Sequence, residues 1–166
     1  MQKVFLIAAY AHNRVIGFNG AIPWNIPGEQ SRFRKLTTGN VVIMGRKTFD
    51  EIFQKLKKPL PGRINIIISK TKSYSDADCY TFSTLKDAVD FSIKEFPEKD
   101  IFISGGESLY KEGISLAEKL FLTEIDMDVK GDVFFPDFNE NDYVKNIEEE
   151  FTEPVSYRYV TYTKLS

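Results

Sequence analysis

The sequence contains very few of the residues that form disulfides or bind transition metals. Its 166 residues include one cysteine, Cys79, and one histidine, His12. A single thiol excludes an intramolecular disulfide, and one Cys with one His cannot supply the ligands of a structural zinc site. We therefore expect no metal centre. Because a lone thiol is typical of a reducing compartment, we also expect a cytoplasmic protein.

The chain also lacks an excess of charge of one sign and any long apolar segment. It has 22 Lys and Arg residues against 24 Asp and Glu, a formal net charge of −2, which argues against a nucleic-acid-binding surface. Its composition, 42% hydrophobic and 28% charged, indicates neither disorder nor a membrane span. The apolar N-terminal run imitates a short signal peptide, but we interpret it as a buried strand. The length, without repeats or a linker, predicts a single domain over residues 1–166.

Apolar runs alternate with helical periodicities along most of the chain. Strands are predicted at Val4–Tyr10, Val41–Met44, Ile64–Ser69, Cys79–Phe82, Asp100–Ile103 and Lys119–Ile125. Helices are predicted at Gly28–Leu36, Arg46–Leu56, Leu85–Phe96 and from about Glu107 to Ile114. The last two predicted strands form an antiparallel hairpin, Tyr143–Phe151 and Ser156–Lys164. The pattern predicts an α/β fold with one mixed, mostly parallel sheet of eight strands, flanked by about four helices.

A long loop separates the first predicted strand from the first predicted helix. Residues 11–27 are rich in turn-forming residues, among them Gly17, Gly20 and Pro23. Loops of this length inside a compact domain are usually functional. We therefore interpret the segment as a lid.

An acidic residue, Glu29, follows this loop in the first turn of the short helix. The apolar residues Ile22, Trp24, Ile26 and Phe33 flank it in the sequence. A carboxylate held in a poorly solvated pocket has a raised pKa and can share a proton with a ligand. The alternative is a glutamate that faces water at a helix N-terminus, where its charge is favourable. The residues alone leave both interpretations open.

Cations, hydroxyls and glycines follow several of the predicted strands. Arg46–Thr48 opens a helix, Ser69–Lys72 ends a strand, and Ser104-Gly105-Gly106 joins a strand to a helix. A helix N-terminus offers free N–H groups, and glycines let the backbone approach a phosphate closely. The spacing is not that of a P-loop. The alternatives are a solvated basic turn and an ordinary tight turn.

Taken together, these motifs resemble the dihydrofolate reductase family along essentially the whole chain. The matching motifs are IAA at 7–9, VIG at 15–17, IPWNIP at 22–27, VIMGRKTF at 42–49, LPGR at 60–63, NIIIS at 65–69, ISGGESLY at 103–110, LTEID at 122–126 and GDVFFP at 131–136. Each motif is modest by itself, but in this order and spacing they are highly specific.

The resemblance implies reduction of 7,8-dihydrofolate to tetrahydrofolate, with a hydride from NADPH to C6 and a proton to N5. It implies a catalytic set of Glu29, which would pair with the pteridine, Thr123, which would bond that acid, and Trp24, which would hold a water near it. Arg63 would clamp the glutamate tail of the substrate. A 2′-phosphate needs positive charge nearby, which favours NADPH over NADH.

The resemblance also implies the binding residues. Those for substrate are Ile7, Ala8, Glu29, Gln30, Phe33, Ile52, Arg63, Tyr110 and Thr123. Those for the cofactor are Ala9, Ile16, Gly17, Gly20, Ile22, Gly45, Arg46, Lys47, Thr48, Ile68, Ser69, Lys70, Ser104, Gly105, Gly106, Glu107, Ser108 and Leu109. Residues of approximately 41–96 would form an adenosine-binding subdomain. We expect a monomer that binds antifolates and neither nucleic acid nor membranes.

Several positions depart from the family pattern or extend it. Glu29 stands where bacterial members more often have Asp, and Ser104 where a branched or aromatic residue is usual. Glu107 places a carboxylate near the expected pyrophosphate, and we expect its side chain to point away. In the family Gly105 and Gly106 are joined by a cis peptide, and Asp132 would hydrogen-bond the lid. Two alternatives keep the scaffold: a pyrimidine reductase of the riboflavin-pathway type, and a non-catalytic dinucleotide-binding module.

Overall fold

The computed structural model describes residues 2–17, 26–74, 76–153 and 155–165. The strands are β1 (Val4–Ala11), β2 (Val15–Gly17), β3 (Val41–Gly45), β4 (Ile64–Ile68), β5 (Cys79–Phe82), β6 (Ile101–Ile103), β7 (Lys119–Ile125), β8 (Val133–Phe134), β9 (Tyr143–Phe151) and β10 (Tyr157–Lys164). The helices are α1 (Pro27–Thr37), α2 (Arg46–Leu56), α3 (Leu85–Glu95) and α4 (Glu107–Gly113), with a 3-10 turn at Glu140–Asp142.

One eight-stranded sheet organises the described residues, in the order β5-β4-β3-β6-β1-β7-β10-β9. The pairs from β5 to β7 are parallel, while β10 runs antiparallel to both β7 and β9. This confirms the predicted mixed α/β fold with its C-terminal hairpin. The predicted elements agree with the observed ones to within one or two residues at their ends.

A second, two-stranded sheet was not predicted. It pairs β2 with β8, with Val15 opposite Phe134 and Gly17 opposite Val133. Strands of two or three residues are too short to show an alternation in the sequence. This small ribbon joins the start of the predicted lid to the segment after β7.

The centre of the large sheet is covered on both faces. On one face Val41 and Ile43 of β3 pack with Leu85 and Ala88 of α3. On the other face Val42 and Met44 pack in the cluster that contains Phe49 of α2. Burial on both faces explains why β3 is apolar throughout rather than alternating.

The carboxyl ends of the parallel strands meet at one edge of the sheet. The residues at this edge include Tyr10 of β1, Gly45 of β3, Ser69 after β4, Ser104 after β6 and Thr123 of β7. In open α/β sheets ligands bind at this edge, near the point where the strand order reverses. Of the helices in the described part of the chain, none combines the length and the hydropathy needed to cross a bilayer.

Asn65 is a fully buried polar residue of β4 that fixes the turn before this strand. Its Oδ1 accepts a hydrogen bond from Leu60 N at 3.0 Å, and its Nδ2 donates to Leu60 O at 3.0 Å and to Arg63 O at 3.1 Å. The amide therefore replaces the backbone partners that residues 60–63 lack. It also fixes the main chain that carries Arg63.

We expect Asn65→Ala to lower the free energy of unfolding by about 2–3 kcal/mol, because buried groups of Leu60 and Arg63 lose their partners. Urea denaturation followed by far-UV circular dichroism measures this loss. The matched control is Asn146→Ala on the exposed strand β9, which should change stability by no more than about 0.5 kcal/mol. Equal losses in the two variants would contradict the role of Asn65.

Candidate active site

Glu29 lies in the first turn of α1, three residues after the buried residue Ile26. Burial of its carboxylate raises the pKa of Glu29, and the nearby charge of Arg32 opposes that effect only in part. Of the two environments that the residues alone left open, this favours the poorly solvated one over that of a glutamate facing water. A carboxyl group with a raised pKa can hold a proton at a pH where an exposed one has lost it.

Two tyrosines lie in the electrostatic neighbourhood of Glu29. Tyr110 of α4 is buried and donates its hydroxyl to Ile7 O at 3.0 Å, and burial, followed by the charge of Glu29, raises its pKa. Tyr159 of β10 donates its hydroxyl to Gly28 O, next to Glu29. Burial is the largest cause that raises the pKa of Tyr159, to about 12. Both hydroxyls are therefore neutral donors committed to backbone carbonyls.

Thr123 is buried in β7, opposite Ala9 of β1 and Tyr159 of β10. The resemblance implies a hydrogen bond from its hydroxyl to Glu29. Within the described residues no such bond is present, and the two residues are linked indirectly, since Tyr159 borders Thr123 across the strand pair and bonds Gly28. Trp24, Gly20 and Ile22 lie outside the described residues.

Arg63 is buried at the start of β4, close to α1. Its Nε donates to Pro61 O at 2.9 Å and its Nη1 to the Thr37 hydroxyl at 3.2 Å. Burial, and then the neighbouring Arg34, lowers the pKa of Arg63. A guanidinium held by two hydrogen bonds beside a second cation is prepared to receive an anion.

The predicted pteridine and aminobenzoyl residues fall into different environments. Phe33 and Ile52 pack against the same apolar cluster, and Arg63 lies 6.0 Å from the Phe33 ring centroid. Ile7 and Ala8 are buried in β1. Gln30 is exposed on α1. The structure therefore brings Phe33, Ile52 and Arg63 together and leaves Gln30 at the surface.

The turns after β3 and β6 lie against each other. Gly45 N donates to Gly105 O at 2.8 Å, and a Cβ on Gly106 would lie 3.9 Å from Thr48 Oγ1. The peptide bond between Gly105 and Gly106 is cis, as the resemblance implied. Gly105 has a φ of 109°, which favours glycine. Two of the predicted cofactor segments are therefore in direct contact.

The predicted phosphate-binding cations are exposed near this contact. Arg46 and Lys47 open α2, and Arg46 Nη1 lies 3.6 Å from Asp50 Oδ2. Such exposed pairs are weak, so an anionic ligand can replace Asp50. Lys70 is exposed after β4, and the Ser69 hydroxyl accepts a hydrogen bond from Lys72 N at 3.0 Å. Ile68 pairs with Gly45, which brings the end of β4 beside α2.

The segment 104–109 has mixed exposure. Ser104 donates its hydroxyl to Ile43 O at 3.4 Å, and Leu109 is buried in the core. Glu107 Oε2 accepts a hydrogen bond from Phe134 N at 3.2 Å, so its carboxylate is held by β8, and Ser108 is exposed. Because the side chain of Leu109 is buried in the core, this residue can contact a cofactor only through its backbone. Ile16 of β2 packs against the core cluster next to β1.

Exposed cations and hydroxyls lie at one edge of the sheet, together with glycines whose backbones are in contact. These are the donor groups that bind the phosphates of a dinucleotide. The residues present therefore fit NADPH. In the described part of the chain no three His, Cys, Asp or Glu side chains are grouped so as to hold a metal ion.

Comparison with known proteins decides the family. The family model described as dihydrofolate reductase matches residues 3–164. The chain belongs to the dihydrofolate reductase family. It is an oxidoreductase that reduces dihydrofolate to tetrahydrofolate, and the family uses NADPH.

Full-length relatives support this membership. The chain is 35% identical to a dihydrofolate reductase type A13 of Escherichia coli over 98% of this chain and 94% of the relative. It is 34% identical to the dihydrofolate reductase of Bacillus subtilis, over 97% of this chain and 94% of the relative. It is 39% identical to that of Neisseria gonorrhoeae, over 98% and 96%.

Two residues near Glu29 were not found from the sequence. Arg32 lies one helical turn beyond the acid, and Tyr159 is one of several tyrosines in the predicted strand Ser156–Lys164. The i, i+3 spacing of Glu29 and Arg32 was the one available signal. It could not show that the Arg32 guanidinium is buried rather than solvated.

We expect Glu29→Gln to stabilise the ligand-free enzyme at pH 8 but not at pH 4. The folded state holds the Glu29 proton more tightly than the unfolded chain, so its contribution to stability falls as pH rises above the ordinary glutamate pKa. A neutral amide does not incur this loss. Urea denaturation of both proteins at the two pH values measures the difference.

The control for that measurement is Glu98→Gln, which changes an exposed glutamate. Its stability difference from the wild type should be similar at both pH values. If the stability difference between Glu29→Gln and the wild type is also the same at both pH values, the acid is solvated in the folded enzyme.

Proposed function

We propose that Glu29 is the residue that anchors the pteridine ring and passes a proton toward N5. The observation that carries this proposal is the burial of its carboxylate, which raises the pKa of Glu29. The acid lies next to the edge of the sheet where ligands bind in such folds. In its ionised form the carboxylate can accept two short hydrogen bonds from the 2-amino and N3 edge of the ring.

The protein's part in the reaction is to orient, to exclude water and to manage one proton. Glu29 holds the ring while Phe33 and Ile52 supply apolar walls. Its raised pKa increases the fraction that is protonated near neutral pH, so a proton is at hand when N5 becomes basic. Trp24 and Thr123 complete the proposed catalytic set. NADPH, when bound, supplies the hydride for C6.

We assign the cofactor phosphates to Arg46, Lys47, Thr48, Ser69 and Lys70. The contact of Gly45 with Gly105 and Gly106 supports this assignment, because it leaves backbone open to a phosphate between two turns. Ala9, Ile16 and Gly17 would face the nicotinamide, together with Gly20 and Ile22. The exposed cations favour NADPH over NADH, since the 2′-phosphate adds negative charge.

The proposed lid spans residues 11–27. Its described start is tied to the segment after β7, because Phe135 N donates to Arg14 O at 2.8 Å and His12 N donates to Met127 O at 3.2 Å. Asp132 belongs to that same segment, and we propose that it helps to close the lid. Control of product release by the lid is consistent with this link.

Other parts of the proposal concern the protein as a whole. We propose that residues of approximately 41–96 form an adenosine-binding subdomain, that the enzyme is a cytoplasmic monomer, and that pteridine antifolates compete with dihydrofolate. A cofactor-oxidation assay with and without such an antifolate, combined with light scattering, tests inhibition and oligomeric state together.

Glu29→Gln should slow the isolated hydride-transfer step by about 100-fold or more, because the ring loses its anchor and its proton supply. Stopped-flow measurement of NADPH oxidation gives this rate. The wild-type step should also slow as pH rises through the apparent pKa of the ternary complex, whereas the variant should show no such dependence. A near-wild-type rate would remove Glu29 from the mechanism.

Arg63→Gln should raise the dissociation constant of dihydrofolate by about 10- to 100-fold, because a charge-assisted hydrogen-bonded pair contributes about 1.5–3 kcal/mol. The rate of hydride transfer at saturation should change little. Fluorescence titration measures the affinity. Dihydropteroate, which lacks the glutamate, provides the control: an equal loss of affinity for it would show that Arg63 supports the fold rather than the tail.

A further inference from the structure

Arg32 carries a buried positive charge that the proposed reaction does not use. Its side chain is 9% exposed, its Nη1 donates to Leu122 O at 2.8 Å, and its Nη2 lies 3.5 Å from Glu148 Oε1. In the described part of the chain, Nη2 is the one fully buried side-chain nitrogen or oxygen without a hydrogen bond. A buried guanidinium with incomplete pairing is a poor source of stability. Its burial therefore calls for another explanation.

Two aromatic rings restrict the guanidinium of Arg32. Its Cζ lies 4.6 Å from the centroid of Tyr159 and 5.8 Å from that of Phe121. Cation–π contacts of this kind are strongest where water is excluded. The rings and the Leu122 carbonyl together hold the charge in one position.

The contacts of Arg32 place it beside two members of the proposed catalytic set, Glu29 and Thr123. Arg32 follows Glu29 by three residues, so the two side chains share a face of α1. The carbonyl that Arg32 binds belongs to Leu122, directly before Thr123. Tyr159, which stacks on Arg32, also donates its hydroxyl to the peptide before Glu29. One cation therefore links α1, β7 and β10 beside the acid.

Few charged and titratable groups surround Glu29 and Arg32. The charge that acts on Glu29 is that of Arg32 on its own helix, and Glu29 in turn raises the pKa of Tyr110 of α4 and of Tyr159 of β10. Arg32 is influenced by Glu148 of β9 as well as by Tyr159 and Glu29. Burial lowers the pKa of Arg32, but an arginine stays protonated in proteins. Among these groups Arg32 is the permanent cation that acts on Glu29.

We propose that Arg32 is a positioning residue for the reduction, whose buried positive charge, fixed by the Leu122 carbonyl and the Tyr159 ring one helical turn after Glu29, favours the anionic form of that carboxyl. An acid that is never ionised cannot pair as an anion with the pteridine, and one that is always ionised cannot donate. The inference deepens the proposed function, since it rests on the proton role assigned to Glu29.

A titration of Glu29 without ligands tests the electrostatic part. The protein is labelled with ¹³C at its glutamate side-chain carboxyls, and Glu29→Gln identifies the Glu29 signal by its loss. In Arg32→Met we expect the titration midpoint to rise by about 0.5 pH units or more, because an opposite charge is removed. In Glu148→Gln it should fall by about 0.2 or more, because the negative charge beside Arg32 is removed. Methionine fills the space of the arginine stem without leaving an unpaired charge.

The matched control is Lys35→Met, which removes an exposed charge from the same helix and should leave the midpoint unchanged. A purely structural role for Arg32 would not produce shifts of opposite sign in the two test variants. The inference is overturned if Arg32→Met moves the midpoint by less than about 0.2, or if Lys35→Met moves it as far. If Arg32→Met fails to fold, the absence of a downward shift in Glu148→Gln overturns it.

The hydride-transfer step should show the same order of midpoints when its rate is followed against pH. This measurement distinguishes a failure of the proposed role of Glu29 from a failure of the inference about Arg32. If Glu29→Gln keeps the wild-type pH dependence, the proposed role of Glu29 fails. If Glu29→Gln abolishes that dependence and Arg32→Met leaves its midpoint unchanged, the inference about Arg32 alone fails.

Discussion

The removal of one carboxylate from water is the constraint on which the site depends. At the start of α1, beside Glu29, Ile26 packs in an apolar cluster with Tyr157 and Tyr159 of β10. Gly28 is needed at this point, because a Cβ there would collide with the Tyr157 hydroxyl. Shelter disfavours the ionised form of the carboxyl, so it lowers the stability of the folded enzyme at pH values above the ordinary glutamate pKa.

The buried centre of the sheet forms a fixed support, and the candidate binding residues lie on the turns at its edge. The parallel centre of the sheet is buried on both faces by α2 and α3, and it presents the ends of its strands as a fixed edge. Short turns at that edge carry glycines, hydroxyls and cations, while the start of the proposed lid is held by the β2–β8 ribbon. Glu107 connects the two regions, since it stands at the start of α4 and binds Phe134 of β8. A hydrogen bond therefore joins the ribbon to the helix that follows the turn after β6.

The sequence predicted most of the fold because its signals are local. Continuous apolar runs such as Val41–Met44 mark strands buried on two faces, and the period of Arg46–Leu56 marks a helix with one apolar face. The β2–β8 ribbon was not predicted, because its strands are too short to show an alternation of apolar and polar residues. At the site, the resemblance assigned Gly45 and Gly105 to one cofactor-binding set, and the structure shows their two turns in contact. The burial of Arg32 was not predicted, because it depends on strands more than 80 residues away, which no local pattern encodes.

Cys79, the lone cysteine, has a practical consequence. It is buried in β5, and burial, followed by the charges of Asp76 and Asp78, raises the pKa of its thiol to about 11. Since the thiolate is the nucleophile, this sulfur should react slowly with maleimides and iodoacetamides at neutral pH. A cysteine introduced into an exposed loop would then be the preferred point of attachment for a fluorophore or spin label, without first replacing the native thiol.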